Sequence, residues 1–487
     1  MRDRWSSRTI FLFAAIGSAV GLGNIWRFPY LAYEYGGGAF LIPYLIALFV
    51  LGIPLLILEF GIGQKLQKGA VHAFKSVNNK LSGIGFMAIF SGFIVVVYYA
   101  AVMAWSLVYL VKSFSTTLPW AEDSKGYFFD NVLQISSGVN EIGGINVMLF
   151  LALLAVWVMI YFCVRKGVKS VGKVVTWTMP LPLVLLLILF IRGITLEGAM
   201  AGIMAYITPN FSALFDTEIW LAAASQIFFT LSLGFGIMIA YASYNKDDQD
   251  VVGDAWITAL TNSAISLFAG FVVFSVLGFM ATSTNVAVSE VIASGPGLAF
   301  VVFPQALSLM PLAWLFSILF FLMLLTLGID SAFSLVEAVN TVLYDKYQEA
   351  KKNKIAMIVC SVCFLLGILF VTKAGLYFLD IFDHFVTNFG LVIVGILQCL
   401  AVGWTYGAHN LREYINSASK VQISEWWDYS IKYVIPIVLT LLIVVQFYKE
   451  LQAPYEGYPM WAIYLGWMSV AIPIIIAIKM AFVKNES

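Results

Sequence analysis

Gly17-Ser18-Ala19-Val20-Gly21-Leu22-Gly23-Asn24 lies inside an apolar run from about residue 10 to residue 41. Three glycines within seven residues make a poor helix, each costing roughly 1 kcal/mol against alanine. In a bilayer, backbone groups released from a helix need other partners, and unwound backbone persists only where it lines a cavity. Freed carbonyls suit a cation, and freed amides at the start of a half-helix suit a carboxylate. The stretch therefore predicts a site for an ion and a small anion in mid-membrane. Gly17 and Gly21 alone are also a GxxxG pair, which serves close helix packing. The third glycine, Asn24 and then Arg27 within an otherwise apolar run favour the site, because intramembrane charge marks a pathway.

Composition agrees with that setting. The chain has 487 residues, 61% hydrophobic and 11% charged, with formal net charge +0. Soluble domains carry about 25% charged residues. Spans need about 20 residues each. The apolar runs then give an all-α polytopic membrane protein of about twelve transmembrane helices in the lipid bilayer. Neutral charge offers nothing to a nucleic acid. The four cysteines, Cys163, Cys360, Cys363 and Cys399, fall in apolar runs and read as small apolar residues. No cleavable leader is expected. Basic residues gather at Arg2, Arg4 and Arg8, and after the second, fourth and eighth spans, so the positive-inside rule puts both termini in the cytoplasm of a cell-membrane protein. The connection 245–254, with four aspartates and Lys246, runs against the trend.

Along the chain, the second span carries buried Glu59, expected to be protonated or bonded to backbone freed in the first span. The third carries Tyr98 and Tyr99 at mid-depth, either as site residues or as core aromatics bonded to a carbonyl. The sixth, about residues 219–242, holds Ser225-Gln226-Ile227-Phe228-Phe229-Thr230-Leu231-Ser232-Leu233-Gly234-Phe235-Gly236, again polar and glycine-broken. Two broken spans opening two groups of five point to a transporter built as a 5+5 inverted repeat with helices one and six unwound. The segments are residues 1–192, 193–405 and 406–487, the last holding spans eleven and twelve. Asn262 and Ser266 share a face of the seventh span. The connection 283–311 is too apolar for a solvated loop and is expected to fold back into the outer vestibule. On the eighth span Asp330 needs a compensating cation or proton, and sodium fits an oxygen-rich site.

The run Ala19-Val20-Gly21-Leu22-Gly23-Asn24-Ile25-Trp26-Arg27-Phe28-Pro29, then Gly36-Gly37-Gly38-Ala39-Phe40 and Ile42-Pro43-Tyr44, closely resembles the neurotransmitter:sodium symporter family. Gln226 to Gly236, with Ala242-Ser243-Tyr244, does too. The resemblance implies one sodium on the Ala19 carbonyl, Asn24, Thr230, Asn262 and the substrate carboxylate. It implies another on the carbonyls of Gly17, Val20 and Leu327 with Asp330 and Ser331. The substrate carboxylate would meet the amides of Leu22 and Gly23 and the Tyr99 hydroxyl. The amino group would meet the carbonyls of Ala19, Phe229 and Thr230 and the Ser232 side chain. Val95, Val96, Phe229, Phe235, Ser331 and Leu335 would enclose the side chain, with Phe229 closing over it. Arg27 and Asp383 resemble an outer gate pair, and Arg2 and Asp345 an inner one, with Tyr244 helping to hold Arg2.

Two positions refine the expectation. Monoamine carriers of the family have an aspartate where this chain has Gly21, so Gly21 implies a substrate with its own carboxylate. An apolar pocket without charge implies a neutral, hydrophobic amino acid. At Ser266 many bacterial members carry a carboxylate, whereas chloride-dependent animal members carry serine. Tyr44, Gln226, Thr230, Asn262 and Ser266 then form a candidate chloride shell, since sodium beside a zwitterion leaves positive charge to offset. Asp330, which also resembles animal members, would supply part of that charge. The expected activity is sodium-coupled symport by alternating access. An ion channel and a substrate-binding sensor on the same fold are the alternatives. No enzyme is expected, since His72, His384 and His409 are scattered and no catalytic set converges.

Overall fold

The computed structural model of the chain describes residues 2–482, so Met1 and the last five residues of the third segment, 483–487, fall outside the description. Among the described residues the regular structure is helical, with one isolated bridge between Ile145 and Thr372. Ten helices among the described residues are long and apolar enough to cross a membrane. An eleventh span is a bent pair, Arg8–Ala19 and Leu22–Glu34, turned by 53°. The sixth span in order is split further, into Thr217–Thr230 and Ile237–Ala242. At 1.5 Å per residue these pieces are about 21 Å and 9 Å long, and neither alone crosses a core about 30 Å thick. Counting it gives the expected twelve. The protein is a multi-pass membrane protein.

Both breaks have local causes. In the first span, Val20 and Gly21 are extended, and the second half starts at Leu22. Asn24 holds that start, its Oδ1 accepting from the Gly21 amide at 2.9 Å while its own backbone amide donates to the Gly21 carbonyl at 3.1 Å. In the sixth span, the Leu233 amide donates to the Phe228 carbonyl and the Ser232 amide to the Phe229 carbonyl, which is a Schellman ending. Its left-handed residue is Ser232, φ 53°, where glycine is usual, and Gly234 and Gly236 follow with φ 79° and 73°. The Ser232 hydroxyl donates across to the Ser18 carbonyl at 3.0 Å, tying one break to the other.

The third span, Asn79–Lys112, and the eighth, Ala313–Lys346, pack together and flank both breaks. The connection before the eighth span folds back as expected. Phe300 is fully buried, its ring against Trp105, Phe128 and Phe321, and its carbonyl takes the Tyr109 hydroxyl at 2.8 Å. The acidic connection 245–254 also finds its reason. Arg8 bonds Asp254 at 2.6 Å and reaches Asp250 at 3.5 Å, and Arg4 lies 3.9 Å from Asp247. Those aspartates anchor the N-terminal segment, and so need no bases in their own loop.

Candidate ion and substrate site

The two breaks meet the third and eighth spans around one centre. The Tyr99 hydroxyl accepts from the Leu22 amide at 3.4 Å. A side chain placed on Gly21 would reach the Ser331 hydroxyl at 2.9 Å and that of Tyr99 at 3.4 Å, so Gly21, Tyr99 and Ser331 bound a common space. One placed on Gly23 would lie 3.7 Å from the Phe229 ring. Phe229 and Phe235 meet edge to face at 6.4 Å. Val95 and Val96, about one turn before Tyr99, are buried, as is Leu335. Leu335 and Phe235 converge on Gly92, at 3.2 and 3.6 Å from where its Cβ would stand. The Ser232 side chain is turned to the Ser18 carbonyl rather than toward this space.

Beside it, Gly17, Val20, Leu327 and Asp330 line a cavity of about 10 Å³, closed by Thr178, Met179, Pro182, Leu183 and Ile265. That is about one water-sized sphere. Asp330 is buried, and its Oδ1 has no hydrogen-bond partner. An unpartnered buried carboxylate oxygen beside a helix break is chemistry suited to a small hard cation. Ser331 does not line this cavity; its hydroxyl donates to the Ser18 carbonyl at 3.4 Å.

A second polar cluster is fully buried. The Asn24 side-chain amide donates to Asn262 Oδ1 at 2.9 Å and to the Ser266 hydroxyl at 2.7 Å, and Asn262 Nδ2 donates to Thr230 at 3.2 Å. Gln226 is buried with both amide atoms unpartnered. The Tyr44 hydroxyl donates to Ser263 at 3.1 Å, the residue that follows Asn262 of the expected shell. No formal charge stands among these groups.

The two pairs expected to act as gates are in different conditions. Arg2 is ion-paired with Asp345, donates to Ser243 at 2.7 Å and lies over the Tyr244 ring at 4.7 Å. Tyr244 is fixed by Thr341 at 2.9 Å. Asp3 adds ion pairs to Lys352 at 2.5 Å and Lys169 at 3.2 Å. Burial raises the Asp3 carboxyl, but those lysines outweigh it and hold it below the usual carboxylate range. His72, on the short helix Ala70–Val77, lies 3.9 Å from Asp345; burial holds its imidazole below its ordinary value against the pull of that carboxylate. Arg27 and Asp383, by contrast, form no ion pair among the described residues. Arg27 donates to Ser225 at 3.1 Å and caps the Phe229 ring at 5.0 Å, while Asp383 takes the Tyr98 hydroxyl at 2.6 Å. The Arg2–Asp345 pair is joined and the Arg27–Asp383 pair is parted. Arg27 and Ser225 also line a cavity of about 210 Å³ bounded by spans one, six, ten and eleven.

Several partners were not legible in the residue pattern. Glu59 bonds backbone freed in the sixth span, not the first: its Oε1 takes the Gly234 amide at 2.8 Å and Gln398 at 3.0 Å. Ser225, one turn before Phe229, and Thr178 beside the Asp330 cavity gave no signal, being single hydroxyls on apolar helices. Tyr98 did signal, as a mid-span hydroxyl in need of a partner.

Known proteins resemble the chain along almost its whole length. The profile of the Sodium:neurotransmitter symporter family matches residues 2–126 and 121–486. An uncharacterised sodium-dependent transporter of Methanocaldococcus jannaschii is 42% identical, covering 99% of this chain and 98% of its own length. The sodium- and chloride-dependent taurine transporter of Rattus norvegicus is 38% identical over 98% of this chain and 84% of its own. The sodium- and chloride-dependent GABA transporter 2 of the same species is 37% identical over 96% and 84%.

Proposed function

The chain belongs to the sodium:neurotransmitter symporter family and is a sodium-dependent symporter, and from that premise we propose that its cargo is a neutral amino acid with an apolar side chain, carried with chloride. The observation that carries this is the space bounded by Gly21, Tyr99 and Ser331, which holds no carboxylate of the protein. A substrate that brings its own acid group completes the site; taurine and GABA, named for two relatives, are both zwitterions of this kind.

In this reading one sodium is held by the Ala19 carbonyl, Asn24, Thr230 and Asn262 and is completed by the substrate carboxylate, which couples ion to cargo. The other is held in the Asp330 cavity with Gly17, Val20 and Leu327; Ser331 reaches it by rotating from Ser18. The carboxylate is met by the Leu22 and Gly23 amides and Tyr99, and the amine by the Ala19, Phe229 and Thr230 carbonyls and Ser232. Val95, Val96, Phe235 and Leu335 enclose the side chain. Chloride is held by Tyr44, Gln226, Thr230, Asn262 and Ser266, all neutral donors, with the orphan amide of Gln226 as the strongest support. Arg27 closes on Asp383 above, and Arg2 parts from Asp345 below, with both termini cytoplasmic.

The test is uptake by the purified protein in vesicles under an inward sodium gradient, with each amino acid, taurine and GABA as competitor and chloride replaced by gluconate. Apolar amino acids competing best, and uptake falling without chloride, is the expected result. Preference for taurine or GABA would move the substrate class, and uptake without sodium would end the reading.

A further inference from the structure

At the outer end of the tenth span, Gly375–Ala418, stands a titratable cluster that symport does not use. The side chains of His384 and Glu450 are only 7% and 8% exposed, and His384 Nε2 lies 2.7 Å from Glu450 Oε1. The imidazole stacks on Tyr455 at 3.6 Å, 19° from parallel. Its Nδ1 lies 3.3 Å from the side-chain nitrogen of Asn388, which also donates to the His384 carbonyl at 3.0 Å. A carbonyl can only accept, so the amide is fixed with its NH2 toward the ring. Nδ1 is then an acceptor, and the ring is neutral, giving its one proton from Nε2 to Glu450.

We propose that His384 is a proton-binding site of the outer face, and that a proton taken from the outer solution onto Nδ1 expels Asn388 and favours the parted state of Arg27 and Asp383. The proposal rests on the gate reading of that pair. A proton on Nδ1 would set N–H against N–H, so the Asn388 amide must rotate away. Asn388 lines the outer cavity together with Arg27 and Ser225, and its freed carbonyl oxygen becomes an acceptor on Arg27's side. The imidazolium also stands next in sequence to Asp383 and offers it a positive neighbour other than Arg27. Both effects oppose closure.

The groups around the ring accept a positive charge. On its own span are Asp380 and Asp383. The eleventh span supplies Glu450, with Gln446 at 3.5 Å from that carboxylate, and Lys449, which is engaged by Glu218 at 2.9 Å. The following loop supplies Tyr455 and Tyr458, both donating to Asp380, with Glu456 between them. Tyr98 bonds Asp383, Arg27 shares the cavity that Asn388 lines, and the twelfth span presents Trp467 to the neighbouring Phe385.

The full chain in lipid nanodiscs, carrying spin labels at Glu34→Cys and Gln452→Cys on the outer face, reports gate opening as a distance distribution. The four native cysteines are buried and stay unlabelled. At about pH 5.5 the open-to-closed ratio should exceed that at about pH 8 by fivefold or more, the low end of ordinary site-to-site coupling. His384→Gln should abolish the difference, and Asn388→Ala, which keeps the histidine, should shrink it. A difference that survives in both variants, or none in the parent, overturns the proton site. A distance that does not respond to sodium at the higher pH instead overturns the gate reading, whichever way the pH comparison falls.

Discussion

Gly17→Ala should cripple one sodium site and leave the rest of the protein standing. An alanine Cβ at Gly17 would lie 2.7 Å from Asp330 Oδ2 and 3.3 Å from its Cγ, against an ordinary contact of at least 3.4 Å. The oxygen must therefore give by about 0.7 Å. It has little room to do so, because Asp330 is buried on a continuous helix and the cavity is only about 10 Å³. Overpacking of this kind costs about 1–3 kcal/mol. Relief comes from rotating the carboxylate out of the ion's reach, so most of that sum falls on sodium binding. At 1.4 kcal/mol per decade, half-saturating sodium should rise about 5–100-fold. The assay is a sodium titration of substrate binding, with choline keeping ionic strength constant. Gly138→Ala, where nothing lies within 4 Å, is the control. A folded Gly17→Ala protein whose half-saturating sodium stays within about twofold of the parent would refute the placement of sodium against Asp330.

Arg2→Ala removes the ion pair to Asp345, the bond to Ser243 and the stack on Tyr244 together, so concentrative uptake should fall about tenfold while sodium-dependent binding persists; undiminished uptake would dismiss the inner latch. Ser266→Glu places a fixed negative charge beside Asn24 and Asn262, and uptake by that variant should no longer respond to chloride replacement; a parent-like response would count against the neutral chloride shell. Glu59→Ala leaves the buried Gly234 amide without an acceptor and should lower stability by about 1–3 kcal/mol in thermal unfolding, whereas Glu59→Gln keeps an oxygen there and should be much milder. Equal losses in the two would mean that the Gly234 bond is not what Glu59 is kept for.

The two breaks were legible because glycines and polar residues interrupt otherwise unbroken apolar runs, and interruption is a local property. Gly17 to Asn24 and Leu231 to Gly236 unwind where the pattern puts them, and Asp330 meets the first break because a lone carboxylate at that depth needs company. What the pattern withheld was partner choice. Nothing local joins Glu59 to Gly234, Tyr98 to Asp383 or Arg8 to Asp254; these pairs lie far apart along the chain and are set by how the spans cross. The aspartates of 245–254 looked like a lapse in the charge rule until the N-terminal arginines came to rest on them. Ser232 and Ser331 were expected to face substrate and ion, yet both hydroxyls turn to the Ser18 carbonyl, a choice of rotamer beyond the reach of sequence.

Asp330 is built into the eighth span and stays behind when cargo leaves, so the membrane potential acts on the travelling charges alone. On the proposed reading, two sodium ions, a zwitterion and one chloride would carry a single net positive charge inward, which at 100 mV is worth about 2.3 kcal/mol, or roughly a fortyfold gain in accumulation. Were the halide absent from the cargo, a second charge would cross and the gain would be squared. Current recorded per molecule of amino acid taken up is therefore a direct reading of whether the neutral cluster around Ser266 sends its anion across.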